Sequence, residues 1–447
     1  MATDETRSAV AHLLRRAGFA APAEEVDRLA AQGYEAVVEQ LCDHTVTDHA
    51  AEAVASPVFD PGVTRAARQS GDPAARQAAQ QQAAAERREL VLWWLRRMVA
   101  SGQSHREKLT FLWHDHFATS MEKVQVAQLM HRQRATLYEL GGGRFDLLVG
   151  AVARDPAMLW WLDGAGSTRR APNENFAREL FELFTLGHAG HAGHGSHHPE
   201  PPYTERDVAD AARALTGWDI DRTTGDPTFD PARHDDGPKT VLALTGRLGL
   251  DDVVAAATTH PACAPHVVAR LWSRLARPAG PDDPVVTDLA ARFADDLDVS
   301  ALLRRIYLHP EFLAPASRRG LIKTPVELLV GTARMLGFGL DQRAAQVLQG
   351  LGQVPFYPPD VAGWPANEAW ISTASASTMV QVADYVAGAV DVPAIADAAP
   401  ADRADQAAHL LGIDRWGTAT RNALRAAAGD PRAVLTVALV SPEHLLA

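Results

Sequence analysis

The stretch "ELVLWWLRRMVASGQSHREKLTFLWHDHF", residues 89–117, sets the fold class. Its apolar residues recur at helical spacing, and no β-branched run alternates with polar residues. A Gln-, Ala- and Arg-rich run at 72–88 precedes it and reads as a polar, exposed helix. Ser104 and Glu107 form an S-x-x-E pair, the signature of a capped helix start, so one helix ends and another begins near Gly102. On a wheel of about 100° per residue, Leu109, Leu112, Trp113 and Phe117 share one face. His116 lies inside that arc, His114 at its edge, and Asp115 faces away.

The same helical period continues through most of the chain. Four segments, "LLVGAVARDPAM", "VVAAATTHPACA", "LLRRIYLHPEFL" and "VLTVALVSPEHL", each end a helix at a polar residue followed by proline. Proline disfavours helix at the residue before it and suits the first position of the next helix, so each segment reads as a tight corner. The expected architecture is all-α, an array of packed helix pairs. Two loops interrupt it, "GHAGHAGHGSHHPEPP" (187–202) and "DRTTGDPTFDPARHDDGPKT" (221–240), with room for a short β-hairpin near 226–245. The Pro- and Gly-rich run after Ala276 divides the chain into helical regions 1–277 and 283–447, or bends one continuous domain.

The chain of 447 residues is long enough for a sizeable core. Its net charge is −12 and it has no basic stripe, which argues against binding duplex nucleic acid or an anionic membrane surface. Two cysteines, Cys42 and Cys263, are too few and too far apart for a disulfide framework or a cysteine zinc site. The N-terminus lacks an apolar leader core, and no stretch holds about 18 uninterrupted apolar residues, so no membrane insertion and a cytoplasmic location are expected. The lysines are Lys108, Lys123, Lys239 and Lys323, against many arginines.

"NENFARELFELFTLG", residues 173–187, carries the densest chemistry. Phe176, Ala177, Leu180, Phe181, Leu183 and Phe184 form a broad apolar arc, while Arg178 and Glu182 lie opposite and suit an ion pair. Asn173 is a good N-cap and Glu174 suits the positive helix end. Glu179 falls on the flank of the apolar arc, where a carboxylate must be paired, hydrogen-bonded or protonated. Asp207, three residues after Thr204, reads first as a cap. "HDDGPKT" gathers His234, Asp235, Asp236 and Lys239 at a Gly-Pro turn, either a polar turn or a mobile element completing a site. His188, His191, His194, His197 and His198 read as a flexible insertion or a loose zinc, nickel or copper binder. "YPPDVAGWPANEAW" (357–370) offers Trp364 as a platform for a sugar ring.

Taken jointly, "HLLRRAGFAAPAEEVDRLAAQG", "WHDHF", "NENFARELFELFTLG", "YTERDVADAARALTGW", "FDPARHDDGPKTVLALTG", "LHPEFL", "KTPVEL" and "DVAGWP" resemble the successive blocks of the domain of unknown function 1800 family. The resemblance implies a bacterial, mostly helical protein. It also implies relatives that often carry secretion signals and are encoded beside a phosphatase/sulfatase-like family, a potential protein partner. Phe184 stands where a histidine is common in that family, and the histidine-rich loop is longer than its pattern. The blocks carry His116, Asn173, Glu174, Asn175, Arg178, Glu179, Thr204, Asp207, Trp218, His234, Asp235 and Lys239.

These residues are expected to meet in one pocket between helices. The favoured expectation is a hydrolase of a glycan or related polar substrate. Glu179 or Glu174 would pair with Asp207 or Asp235, one of them with a raised pKa. His116 or His234 would assist; Asn173, Asn175, Arg178, Trp218, Lys239 and Trp364 would hold substrate. The alternatives are a divalent-metal enzyme with His116, Glu179, His234 and Asp235 as ligands, and a non-catalytic binding or assembly module.

Overall fold

A computed structural model describes residues 3–59, 72–187, 202–221 and 223–446. The histidine-rich run 188–198 lies outside the described residues. The fold is predominantly α-helical, with two two-stranded antiparallel sheets among the described residues. Strand β1 (Trp218–Ile220) pairs with β2 (Pro227–Phe229), and β3 (Lys239–Val241) with β4 (Leu244–Gly246). The second pair is a tight hairpin that falls within the expected 226–245 span but for its last residue, Gly246.

The helix Pro73–Ala100 changes character along its length. Its first half is mostly solvent-facing. From Leu90 to Leu95 every residue is buried, as expected of a helix packed on all sides. Around it, Phe111, Met130, Val326, Leu348, Phe356 and Trp364 form one hydrophobic cluster. A second cluster spans Val10 to Phe312 and joins Phe145, Phe181, Trp272, Val285 and Leu303. Apolar packing therefore runs across 277–283 without a break, and the helix Pro284–Asp296 lies against Cys263–Leu275. A third cluster, Val382 to Leu439, also takes in Ala20 and Met335.

The proline corners have a common cause. Asp155 accepts the Ala157 N–H, His260 the Ala262 N–H, His309 the Glu311 N–H and Ser441 the His444 N–H. Each polar side chain satisfies an amide that the new helix start leaves without a partner. Thr204 and Asp207 form the expected reciprocal capping box.

Ser104 and Glu107 do not. Gln103 is the N-cap there and makes no side-chain cap bond. Fully buried Glu107 instead binds Arg97 (2.6 Å), Arg134 (2.5 Å) and the Trp94 indole (3.0 Å). A buried carboxylate needs charged partners more than an exposed amide needs a cap. Asp115 and His114, placed by the wheel away from the core and at its edge, are both buried. His114 accepts the Phe356 N–H at 3.0 Å. Cys42 and Cys263 are both free and buried. Among the described residues, no helix is long and apolar enough to cross a membrane.

Candidate functional site

Asn173 starts the motif helix. Its Oδ1 accepts the Asn175 N–H at 3.0 Å and its Nδ2 donates to the Leu162 carbonyl at 2.6 Å. The helix is α over Glu174–Glu179 and then widens to a π-helix over Leu180–Thr185. The Leu186 N–H reaches back five residues to the Phe181 carbonyl at 2.7 Å, and Gly187 ends the turn at φ +86. π-turns are rare and often mark functional segments.

Two buried histidines hold this turn. His116 donates from Nε2 to the Phe184 carbonyl at 3.0 Å, and His266 donates to the Leu183 carbonyl at 2.9 Å. Burial first, then Arg270 and His266, pushes His116 well below the ordinary histidine pKa. Burial pushes His266 down to about 4. Both are therefore neutral donors near neutral pH. His116, expected as an acid/base or a metal ligand, is instead committed to a backbone carbonyl amid Trp113, Phe117 and Phe145. The helical pattern of "CAPHVVARLWSRL" gave no sign that His266 would share this task. Gly187 permits it, because a Cβ there would sit 2.9 Å from His266 Nδ1.

Gripping the turn from within leaves Glu179 at the α–π junction, half-buried. Burial raises its pKa to about 7, with Glu182 and Asp360 adding to the rise and Arg178 opposing it. Asp360 belongs to "DVAGWP", so a block distant in sequence supplies part of this acidic field. Burial and Glu182 also raise the pKa of the Tyr203 phenol. Arg178 does not pair with Glu182 as expected; it makes a bidentate pair with Glu205 at 2.7 Å. Glu174 and Asn175 are exposed.

The other expected site residues are committed elsewhere. Asp207 accepts Thr204 N–H (2.8 Å), Thr204 Oγ1–H (2.6 Å) and Leu242 N–H (2.8 Å). Burial pulls its pKa up, but these bonds hold it below the ordinary value. Asp235 is held low by the Arg213 guanidinium and also accepts the Gly237 N–H. His234 Nδ1 lies 2.9 Å from the Thr216 carbonyl, with its ring beside Phe229. Lys239 is buried and donates to the Gly237 and Leu248 carbonyls, and burial lowers its pKa. Trp218 packs on Phe229 under Arg154. These side chains pin the two hairpins to the helices. No hydrogen bond, ion pair or ring contact among the described residues joins His116, Glu179, Asp207 and His234 to one another. Nor is any group of three or more His, Cys, Asp or Glu there arranged to hold a metal ion. The expected ligand set His116, Glu179, His234 and Asp235 is not assembled, because three of the four already have tight protein partners.

Trp364 is buried, not a platform open to solvent. Its ring stacks on Phe111 at 5.4 Å and its backbone N–H donates to Asp115 Oδ1 at 2.7 Å. Arg274 binds the same Asp115 carboxylate at 2.6 Å. Gly363 at φ +91 permits the approach, since a Cβ there would overlap the Asp115 oxygens. Asp115, Arg274, Glu327, Gln353, Trp364 and Asn367 line a small cavity of about 40 Å³. Glu327 is paired with buried Lys108 beneath it. "WHDHF", "KTPVEL" and "DVAGWP" thus meet at this point.

The family model described as protein of unknown function (DUF1800) matches residues 12–446. The chain belongs to this family. The match takes in both the π-turn and the cavity where three of the blocks meet. No curated protein and no solved structure matches the chain.

Proposed function

We propose that the protein is a hydrolase of a glycan or related polar substrate, with Glu179 as its protonated acid. The observation that carries the reading is the half-buried Glu179, raised to about 7 beside Glu182 and Asp360. Carboxyl groups that cannot all ionise divide into a proton donor and an anion, which glycoside hydrolysis requires. Asp360 or Glu182 replaces Asp207 and Asp235 as the second carboxylate, since the latter two are committed to structural bonds with Thr204, Leu242, Arg213 and Gly237. His116 and His266 are positioning residues that act through the backbone of the π-turn. Tyr203, whose phenol burial and the same acidic field keep protonated, would donate a hydrogen bond to a polar substrate.

The test is turnover on a panel of aryl glycosides and oligosaccharides. Wild-type rate should fall with a limb near pH 7 as Glu179 ionises. Glu179→Gln should lose at least about a hundredfold, the usual lower bound for general acid catalysis. Asp360→Asn should lower the rate as well. A Gln variant with the wild-type rate and pH profile overturns the assignment.

A further inference from the structure

With so few lysines in the chain, the place of each is informative. Lys123 pairs with Asp163, Lys108 with Glu327, and Lys239 donates to two carbonyls. Lys323 differs. It is 6% exposed, yet its ammonium makes no hydrogen bond or ion pair among the described residues. It lines a cavity of about 290 Å³ together with Arg15, Arg318, Arg319, Asp414 and Glu443. The cavity sits where the first helix (Asp4–Ala17), the segment after His309 and the bridge of Ile322 to Leu446 come together.

Three arginines and Lys323 face two carboxylates there, and both carboxylates accept hydrogen bonds; burial, with Arg15 and Arg16, pushes the Lys323 amine down to about 7, so it is only partly charged near neutral pH. Asp414 accepts Ser8 Oγ–H at 2.7 Å; Glu443 accepts Gly417 N–H at 2.7 Å and Thr420 Oγ1–H at 2.8 Å. Arg15 donates to the Gly412 carbonyl and Arg318 to the Leu313 carbonyl and Ser8 Oγ. Arg319 is exposed and makes no side-chain hydrogen bond among the described residues. The field is positive enough to be felt nearby. Burial and the charges of Lys323 and Arg15 keep His444 neutral; burial and Arg16, Arg15 and Arg318 do the same for His12. Confining basic groups that outnumber their carboxylates is unfavourable, and an anion seated among them would relieve it.

We propose that this cavity binds a small oxyanion, a phosphate or sulfate group either free or carried as a monoester, held by Lys323, Arg15 and Arg319. Arginine forks match the paired oxygens of such a group, and the buried Lys323 amine, taking up a proton as the anion binds, adds a point charge. The site shares no residue with the Glu179 surface, so it stands whether or not the hydrolase reading holds.

The test is calorimetric titration of the full chain with inorganic phosphate, sulfate and phenyl phosphate in a low-chloride buffer. Saturable one-site binding is expected. Binding of phenyl phosphate would identify a monoester site; binding of the inorganic ions alone would identify a site for the free ion. Arg319→Ala, an exposed change that leaves the core intact, should weaken Kd roughly tenfold, and Lys323→Met more. Glu179→Gln should bind as wild type. Absence of saturable binding by all three probes, or binding that Arg319→Ala leaves unchanged, overturns the proposal.

Discussion

Replacing Glu179 by Gln should stabilise the protein, and only at the alkaline end of its range. Gln has the shape of the protonated side chain but cannot ionise. Carried from its ordinary 4.5 to about 7, a fully shielded carboxyl would cost about 3 kcal/mol once ionised. Glu179 is half-buried, so solvent screening reduces this to about 1–2 kcal/mol. The sign follows from proton binding. Below about pH 4 the carboxyl is protonated in folded and unfolded chains alike, and the two proteins should match. As pH rises from 4.5 towards 7, the unfolded chain ionises first, and wild type loses stability relative to the variant. Above the folded value the difference should level off. Urea unfolding followed by tryptophan fluorescence, run on both proteins from about pH 4 to about pH 8, gives the difference directly. Other titrating groups cancel in the comparison. A difference that stays flat with pH, or a variant less stable at the alkaline end, would refute both the burial and the like-charge field assigned to Glu179.

Lys108→Met should destabilise by about 2–4 kcal/mol, because Glu327, largely but not fully buried, would lose its ion-pair partner. Lys108→Met with Glu327→Gln should recover most of that loss in the same urea assay, since Gln can still accept the Thr324 N–H. His116→Phe keeps the ring but removes the donor to the Phe184 carbonyl. It should cost about 1–3 kcal/mol, and amide exchange across 180–187 should quicken; unchanged exchange there would show that His116 does not hold the π-turn.

The capping box at Thr204, the polar-plus-proline corners at Asp155, His309 and Ser441, and the hairpin near 239–246 were legible because each depends on residues adjacent in sequence. So was the exceptional position of Glu179, since an acid flanking an apolar arc must shift its pKa wherever the helix packs. What the sequence hid were the choices made between distant partners. Glu107 had a local cap available and took Arg97 and Arg134 instead. Asp115 looked exposed on an ideal wheel, yet Arg274 and Trp364 hold it in the interior. The 100° wheel also assumed one periodicity for 173–187, and the chain departs from it after Glu179.

Amino-acid order alone therefore determined a predominantly α-helical chain, its helix corners and the uncomfortable position of the Glu179 carboxyl. Only the tertiary structure decided which polar groups gather. A buried charge or orphaned carbonyl is stabilised by whatever partner the packing brings within about 3 Å, and sequence spacing does not encode that distance.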